Sequence, residues 1–172
     1  MLANLDRDRY QELRPRLQEL YEVAYRLLPQ YSYHDPDEVR AYLDWLYEGD
    51  PSGFFVALAD RAAPPVVGFI AVHGTWHERS GRLVAEVHEL VVDPKWQGKG
   101  IAGALISRAL HYARELGRQV VALWVGQQNR RAEALYRRLG FQRTGQWGRW
   151  VRMELAIAPS SDAGAITNPR LD

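Results

Sequence analysis

Residues 86–103 read EVHELVVDPKWQGKGIAG. The stretch opens as an apolar strand over 87–92. Asp93-Pro94 ends that strand, because proline has no N–H for a ladder and restricts the residue before it. A glycine-rich turn, Gln97-Gly98-Lys99-Gly100-Ile101-Ala102-Gly103, then leads into a helical pattern over 104–116. Strand, glycine turn and helix start together make an anion-binding device. The first N–H groups of a helix lack partners inside the helix, and the macrodipole favours negative charge there. Glycine lets a backbone approach a phosphate with no Cβ in the way. The stretch is expected to cradle a pyrophosphate.

Working outward, the N-terminal side carries two helical patterns. Leu17, Leu20, Val23, Ala24, Leu27 and Leu28 recur at helical spacing over 16–28, up to Pro29. Residues 5–14 fit either an early strand or the first turns of that helix. Asp35 can cap a second helix with Pro36 at its first position, running to about Tyr47. Strands are expected at 54–59, 66–73 and 83–92, with a turn over 61–65 and a polar connection over 74–81. On the C-terminal side, Gly117 suits a left-handed helix cap. A strand at 119–125 follows, then a helix at 129–139 ended by Gly140. An antiparallel pair, 141–146 and 149–157, turns near Gly148. The tail, 159–172, is poor in core-forming residues and is expected to be flexible. Two consecutive strand–helix crossovers require a parallel pair inside an otherwise antiparallel sheet. The expected class is therefore mixed α/β, as a single domain over 1–158.

Composition excludes several functions. The 172 residues carry a formal net charge of +1, so neither a nucleic-acid surface nor a polybasic membrane patch is indicated. Without cysteine there is no disulfide framework, thiolate metal site or cysteine nucleophile. The N-terminus lacks an apolar signal region, and the longest apolar run, 66–72, is far short of a membrane span. A soluble, cytoplasmic protein without a metal is the expectation. His73 and His77 find no third ligand in the sequence, and His111 reads as helix surface or packing.

Two familiar phosphate loops can be tested against the glycine turn. A Walker A loop needs Ser or Thr after its lysine, but Lys99 precedes Gly100. Gly98-x-Gly100-x-x-Gly103 does match a dinucleotide fingerprint, yet such a unit should open its chain rather than sit past the middle. The segment more closely resembles another loop. Gln97-x-x-Gly100-x-Ala102 is similar to the acetyl-CoA pyrophosphate loop of the GCN5-related N-acetyltransferases, the GNAT superfamily. Leu90-x-Val92-Asp93-Pro94 before it agrees. So does Asn129-x-x-Ala132-x-x-Leu135-Tyr136-x-x-Leu139-Gly140-Phe141 after it. The resemblance is strong from about Val66 to Phe141 and loose elsewhere.

The resemblance implies a mixed sheet whose fourth and fifth strands, 83–92 and 119–125, splay apart around the pantetheine arm. It implies cofactor contacts from Leu90, Val91 and Val92, from Gln97, Gly98, Lys99, Gly100, Ile101, Ala102 and Gly103, and from Asn129. Lys99 reads equally as a solvated loop lysine, and Asn129 equally as a helix cap. Tyr136 would face the cofactor sulfur and protonate the departing thiolate; as a plain residue it would be core. The base is open. Without a bulge, 86, 88, 90 and 92 share one face of the strand. Glu86 is the first choice, with His88 and Glu89 as alternatives; Glu89 points the other way unless a bulge intervenes. A backbone N–H near Leu90 would meet the oxyanion. Trp124 stands where some relatives carry a glutamate, and reads as either a pocket wall or core. Tyr31, Tyr33, Tyr42 and Trp45 read as helix packing or as the acceptor wall. The implied activity is direct acetyl transfer from acetyl-CoA to the primary amine of a small molecule or protein, by a possible homodimer. The alternative is a non-catalytic acyl-CoA-binding module on the same fold.

Overall fold

The computed structural model describes residues 1–59 and 65–158. The expected flexible tail lies outside the described residues, as does most of the expected 61–65 turn. Among the described residues no helix is long and apolar enough to cross a membrane.

A short strand, β1 (Leu2–Asn4), precedes helix α1 (Arg7–Tyr25) and helix α2 (Pro36–Gly49). Strands β2 (Phe54–Leu58), β3 (Val66–His77) and β4 (Leu83–Val92) follow. Then come α3 (Ile101–Glu115), β5 (Val120–Gly126), α4 (Arg130–Arg138), β6 (Gln142–Trp147) and β7 (Trp150–Ala156). The strands form one sheet in the order β1-β2-β3-β4-β5-β7-β6. β4 and β5 pair in parallel and the other neighbours antiparallel.

The sheet separates two apolar clusters. Leu17, Leu20 and Tyr21 of α1 and Leu43 and Leu46 of α2 pack with Phe54, Phe69 and Val91 on one face. Leu105, Ile106 and Ala109 of α3 and Tyr136 of α4 pack with Val72, Val87 and Leu123 on the other. Both faces of β3 are thereby covered, which accounts for its nearly unbroken apolar run.

Several boundaries differ from the sequence reading, and α1 ends at Tyr25 rather than at Leu28. β1 was not expected; three residues of mixed polarity carry no strand signal, and β1 exists because β2 offers it an edge. The 5–14 segment is helix from Arg7 on, capped by Asp6, whose side chain accepts from the Arg9 N–H at 2.8 Å. α1 runs through Pro15. The ring removes one backbone bond, but Tyr10, Leu13 and Leu17 on either side of it are all buried, and that packing holds the helix together. β3 continues to His77 across the expected 74–81 connection, because β4 supplies partners for Trp76 and His77. α3 begins at Ile101, three residues before its apolar periodicity does. The Asp35 cap behaves as expected, accepting from the Asp37 and Glu38 N–H groups.

Candidate active site

β4 and β5 pair over only three residues each, Ala85–Glu86–Val87 against Val121–Ala122–Leu123. Beyond Val87 and Leu123 the strands separate, and a cleft of about 360 Å³ opens between them. Leu90 of β4, Trp124 of β5, and Asn129 and Tyr136 at α4 line it. Tyr31 and Tyr42 from the α1–α2 region close its other side.

β4 contains a bulge. Ala71 pairs with Glu89 and Val72 with Val87, so His88 is the extra residue. This overturns the unbroken alternation expected for 86, 88, 90 and 92. Leu90 and Val92 join Val87 in the cluster on the α3 face. Glu89 is turned to the α1–α2 face, where Glu86 and His88 already lie. There its Oε1 accepts from the Tyr25 hydroxyl at 2.8 Å and from the Leu90 N–H at 3.2 Å. Its Oε2 accepts from the Tyr42 hydroxyl at 3.3 Å. Burial pushes the Glu89 carboxyl up to about 7, even though these three donors pull the other way. The Leu90 N–H, expected to meet an oxyanion, is thus engaged by Glu89.

Glu86 sits elsewhere. It is 2% exposed, and its Oε1 meets the Arg152 guanidinium at 2.5 Å. Arg152 of β7 also pairs with Glu78, and Arg82 ties Glu78 to Glu154 at 2.7 and 2.6 Å. Glu86 is not among the residues lining the cleft. Burial pushes its carboxyl upward, while the hydrogen bond and charge of Arg152 oppose that rise. Pairing a buried carboxylate with a guanidinium offsets its desolvation, which describes a structural ion pair better than a free proton acceptor. Arg152 also lies 5.2 Å over the Trp124 ring. Trp124 is 43% exposed at the cleft, so its reading as a core residue does not hold.

His88 is packed against His73 at 4.3 Å, Trp76 at 4.7 Å and Trp45 at 4.8 Å between ring centroids. Burial, then the nearby His73 and Arg152, push its imidazole down to about 3. It is held neutral, and its conjugate acid is too strong for it to act as an effective base near neutral pH.

Tyr136 is buried and packs on Phe141 at 5.7 Å. Its hydroxyl makes no hydrogen bond among the described residues. Burial raises its pKa, and the charge of Glu89 raises it further. The phenol is therefore a proton carrier at neutral pH, facing the same cleft as Glu89. Asn129 caps α4, its Oδ1 accepting from the Ala132 N–H at 3.2 Å, and also lines the cleft.

The glycine turn has the geometry of an anion cradle. Gly98 and Gly100 hold φ of 79° and 81°, a region that favours glycine. A Cβ at Gly98, Gly100 or Gly103 would meet nothing within 4 Å, so the space above the turn is open. The first bond of α3 runs from the Ala104 N–H to the Gly100 carbonyl. The N–H groups of Ile101, Ala102 and Gly103 are thus left without partners in the helix. Gln97 fixes the turn to the strand by donating from its side chain to the Val92 carbonyl at 3.1 Å. The Lys99 ammonium rests 4.2 Å over the Trp96 ring. These features fit a pyrophosphate at the turn and an extended arm along Leu90, Val91 and Val92. Among the described residues no three His, Asp or Glu side chains gather to hold a metal.

Sequence reasoning missed Tyr25 and Arg152, whereas Tyr31, Tyr33 and Tyr42, read as helix packing or acceptor wall, do line the cleft. Tyr31 spans the cleft. Its hydroxyl accepts from the Gln128 N–H at 3.1 Å, and its ring meets Trp150 at 5.0 Å. A Cβ at Gly126 would lie 2.6 Å from that ring, so glycine is what admits it. No local pattern announces these hydrogen bonds of Tyr25, Arg152 and Tyr31, whose partners lie 64 to 97 residues apart in the chain.

The family model described as the Acetyltransferase (GNAT) family matches residues 14–141. An uncharacterized N-acetyltransferase of Methanocaldococcus jannaschii, MJ1207, is 42% identical over 136 residues, 78% of this chain and 59% of that protein. The chain thus spans well under two thirds of that relative's length. The crystal structure of PH1933 from Pyrococcus horikoshii OT3 superposes with a TM-score of 0.81 at 33% identity, covering 92% of this chain and 98% of that one. The PaiA N-acetyltransferase of Thermoplasma acidophilum, solved in complex with coenzyme A, shares the fold with a TM-score of 0.68 at 18% identity over 91% and 98% of the two chains.

Proposed function

The chain belongs to the GNAT acetyltransferase family, and on that footing we propose that it transfers an acetyl group from acetyl-CoA to a primary amine. Acetyl-CoA supplies an activated thioester. The chain's own residues bind it, orient it and manage two protons. The free amides of the 98–103 turn take the pyrophosphate, with Gly98 and Gly100 giving the turn its shape. Lys99 adds positive charge nearby. Leu90, Val91 and Val92 offer the β4 edge to the extended arm, and Asn129 borders the same space.

An amine attacks only when neutral, so a group in the cleft must accept its proton. The observation that carries this reading is Glu89: a buried carboxyl, poised near neutral pH, turned into the cleft by the His88 bulge. Glu89 takes the proton as the new C–N bond forms. As the C–S bond breaks, Tyr136 donates its phenolic proton to the sulfur. Glu86 serves as a positioning residue, holding Arg152 against Trp124. His88 serves as an uncharged wall. The roles of base and acid thus fall to two groups whose environments suit opposite tasks. The test is thiol release from acetyl-CoA in the presence of amines, with mass spectrometry of the amine. Amine-dependent release that Glu89→Gln and Tyr136→Phe both suppress supports the assignment.

A further inference from the structure

A second concavity, of about 500 Å³, opens on the outer face of α2. Its lining is Tyr33, Glu38, Ala41, Tyr42, Trp45 and His88. Tyr33, Tyr42 and His88 also line the cleft, so the two spaces adjoin. Glu38, Ala41, Tyr42 and Trp45 follow helical spacing along one face of α2. That face leaves Tyr33 49% and Trp45 43% exposed. Such a run of exposed aromatic surface beside a cleft is not what a solvated helix face presents.

The chemistry of this groove is one-sided. Tyr42 and Trp45 lie stacked at 6.0 Å, and Tyr33 meets Tyr42 at 5.2 Å. Among the described residues of the lining, Glu38 is the only carboxylate and there is no Lys or Arg. The acidic neighbours on α2 are matched: Asp37 pairs with Arg40 at 2.8 Å and Asp44 with Arg14 at 2.9 Å. Glu38 makes no such pair among the described residues. His88 at the inner end stays neutral and adds no charge. An apolar occupant would desolvate Glu38 with nothing in return. A cation would gain both the carboxylate and the electron-rich ring faces.

We infer that the acceptor carries, away from its reacting amine, a second positively charged group that seats in the Tyr33–Tyr42–Trp45 groove opposite Glu38. This deepens the proposed acetyl transfer and rests on it: the reacting amine lies at Glu89 and the rest of the molecule runs out past His88. The acceptor class is then a diamine or polyamine, or an amine on a chain bearing a guanidinium or ammonium group.

A matched pair of probes tests this. One series is ω-amino-alkyl trimethylammonium, the other the ω-amino-alkyl tert-butyl isostere, each over a range of chain lengths. The two differ in charge and hardly in shape, and each has one reactive amine. At the best chain length, the cationic probe should show kcat/KM about tenfold or more above its neutral isostere. Glu38→Gln and Trp45→Leu, both at exposed positions, should bring that ratio towards one, and Glu38→Lys should reverse it. If both probes are acetylated equally, or the neutral one is preferred, the groove is not a cation site, while acetyl transfer stands. If neither is acetylated while other primary amines are, acetyl transfer stands; if no primary amine is acetylated, that reading fails. Calorimetric titration of the two probes into the CoA-loaded protein then decides the groove without turnover. Tighter binding of the cation, lost in Glu38→Gln, supports the inference, and equal or absent binding overturns it.

Discussion

Replacing Glu89 with glutamine removes a proton acceptor and puts an amide nitrogen where Oε2 accepts from the Tyr42 hydroxyl. Gln is nearly the same shape, and its oxygen can still accept from Tyr25. Two consequences of opposite sign follow. The first is on turnover. A general base of this kind contributes on the order of a hundred- to ten-thousandfold, so kcat should fall by at least about a hundredfold. The base acts deprotonated, so wild-type kcat/KM should rise with pH through about 7, where burial has moved the carboxyl. Glu89→Gln should lack that limb. Plotting the wild-type to variant ratio against pH cancels the acceptor's own ionisation.

The second consequence is on stability. The carboxyl is moved from 4.5 to about 7 on folding. A raised acid pKa means that the folded protein holds its proton more tightly. The pH-dependent penalty is absent below about pH 4.5, grows between 4.5 and 7, and is complete above 7. The shift corresponds to about 3 kcal/mol. Above pH 7, Glu89→Gln should therefore be the more stable protein in urea unfolding, with the advantage shrinking as pH falls towards 4.5. Turnover within a few-fold of wild type, with a flat ratio across pH, would refute Glu89 as the base. A variant less stable than wild type at pH 8 would refute the buried, strained carboxylate.

Tyr136→Phe should lower kcat by about a hundredfold or more while leaving the acetyl-CoA dissociation constant nearly unchanged, as stopped-flow binding can report. Gly100→Ala forces a Cβ onto a residue with φ of 81°. It should cost roughly 1–2 kcal/mol in urea unfolding and raise KM for acetyl-CoA. Arg152→Leu leaves Glu86 buried without its partner and should lower stability by about 3–5 kcal/mol, with a marked drop in Tm. Gly126→Ala sets a Cβ 2.6 Å from the Tyr31 ring. It should raise KM for the amine more than KM for acetyl-CoA.

The parts of the molecule legible in the sequence are those set by local chemistry. The 98–103 turn shows itself through glycines that need positive φ, Asp35 and Asn129 through their capping, and the parallel pair through the order of strands and helices. What escaped depends on contacts between distant residues. The bulge at His88 adds one residue to β4 relative to β3, and no residue in 86–92 betrays it. Its effect is to exchange the roles of neighbours, bringing Glu89 to the cleft beside tyrosines from α1 and α2. Glu86 reads as a base from its place on the strand alone. Its partner Arg152 is 66 residues away, and only folding brings the two together. The 5–14 segment is open in sequence between strand and helix, and burial on both sides of Pro15, which outweighs one lost backbone bond, decides for helix.

The most direct measurement follows free thiol from acetyl-CoA over a panel of primary amines, with the amine products weighed by mass spectrometry. A GNAT acetyltransferase of this geometry releases thiol in step with the appearance of singly acetylated amine, and the rate falls when Glu89 is replaced by glutamine. Tight CoA binding with no acetylated amine from any acceptor would instead mark the chain as an acyl-CoA-binding module and contradict acetyl transfer.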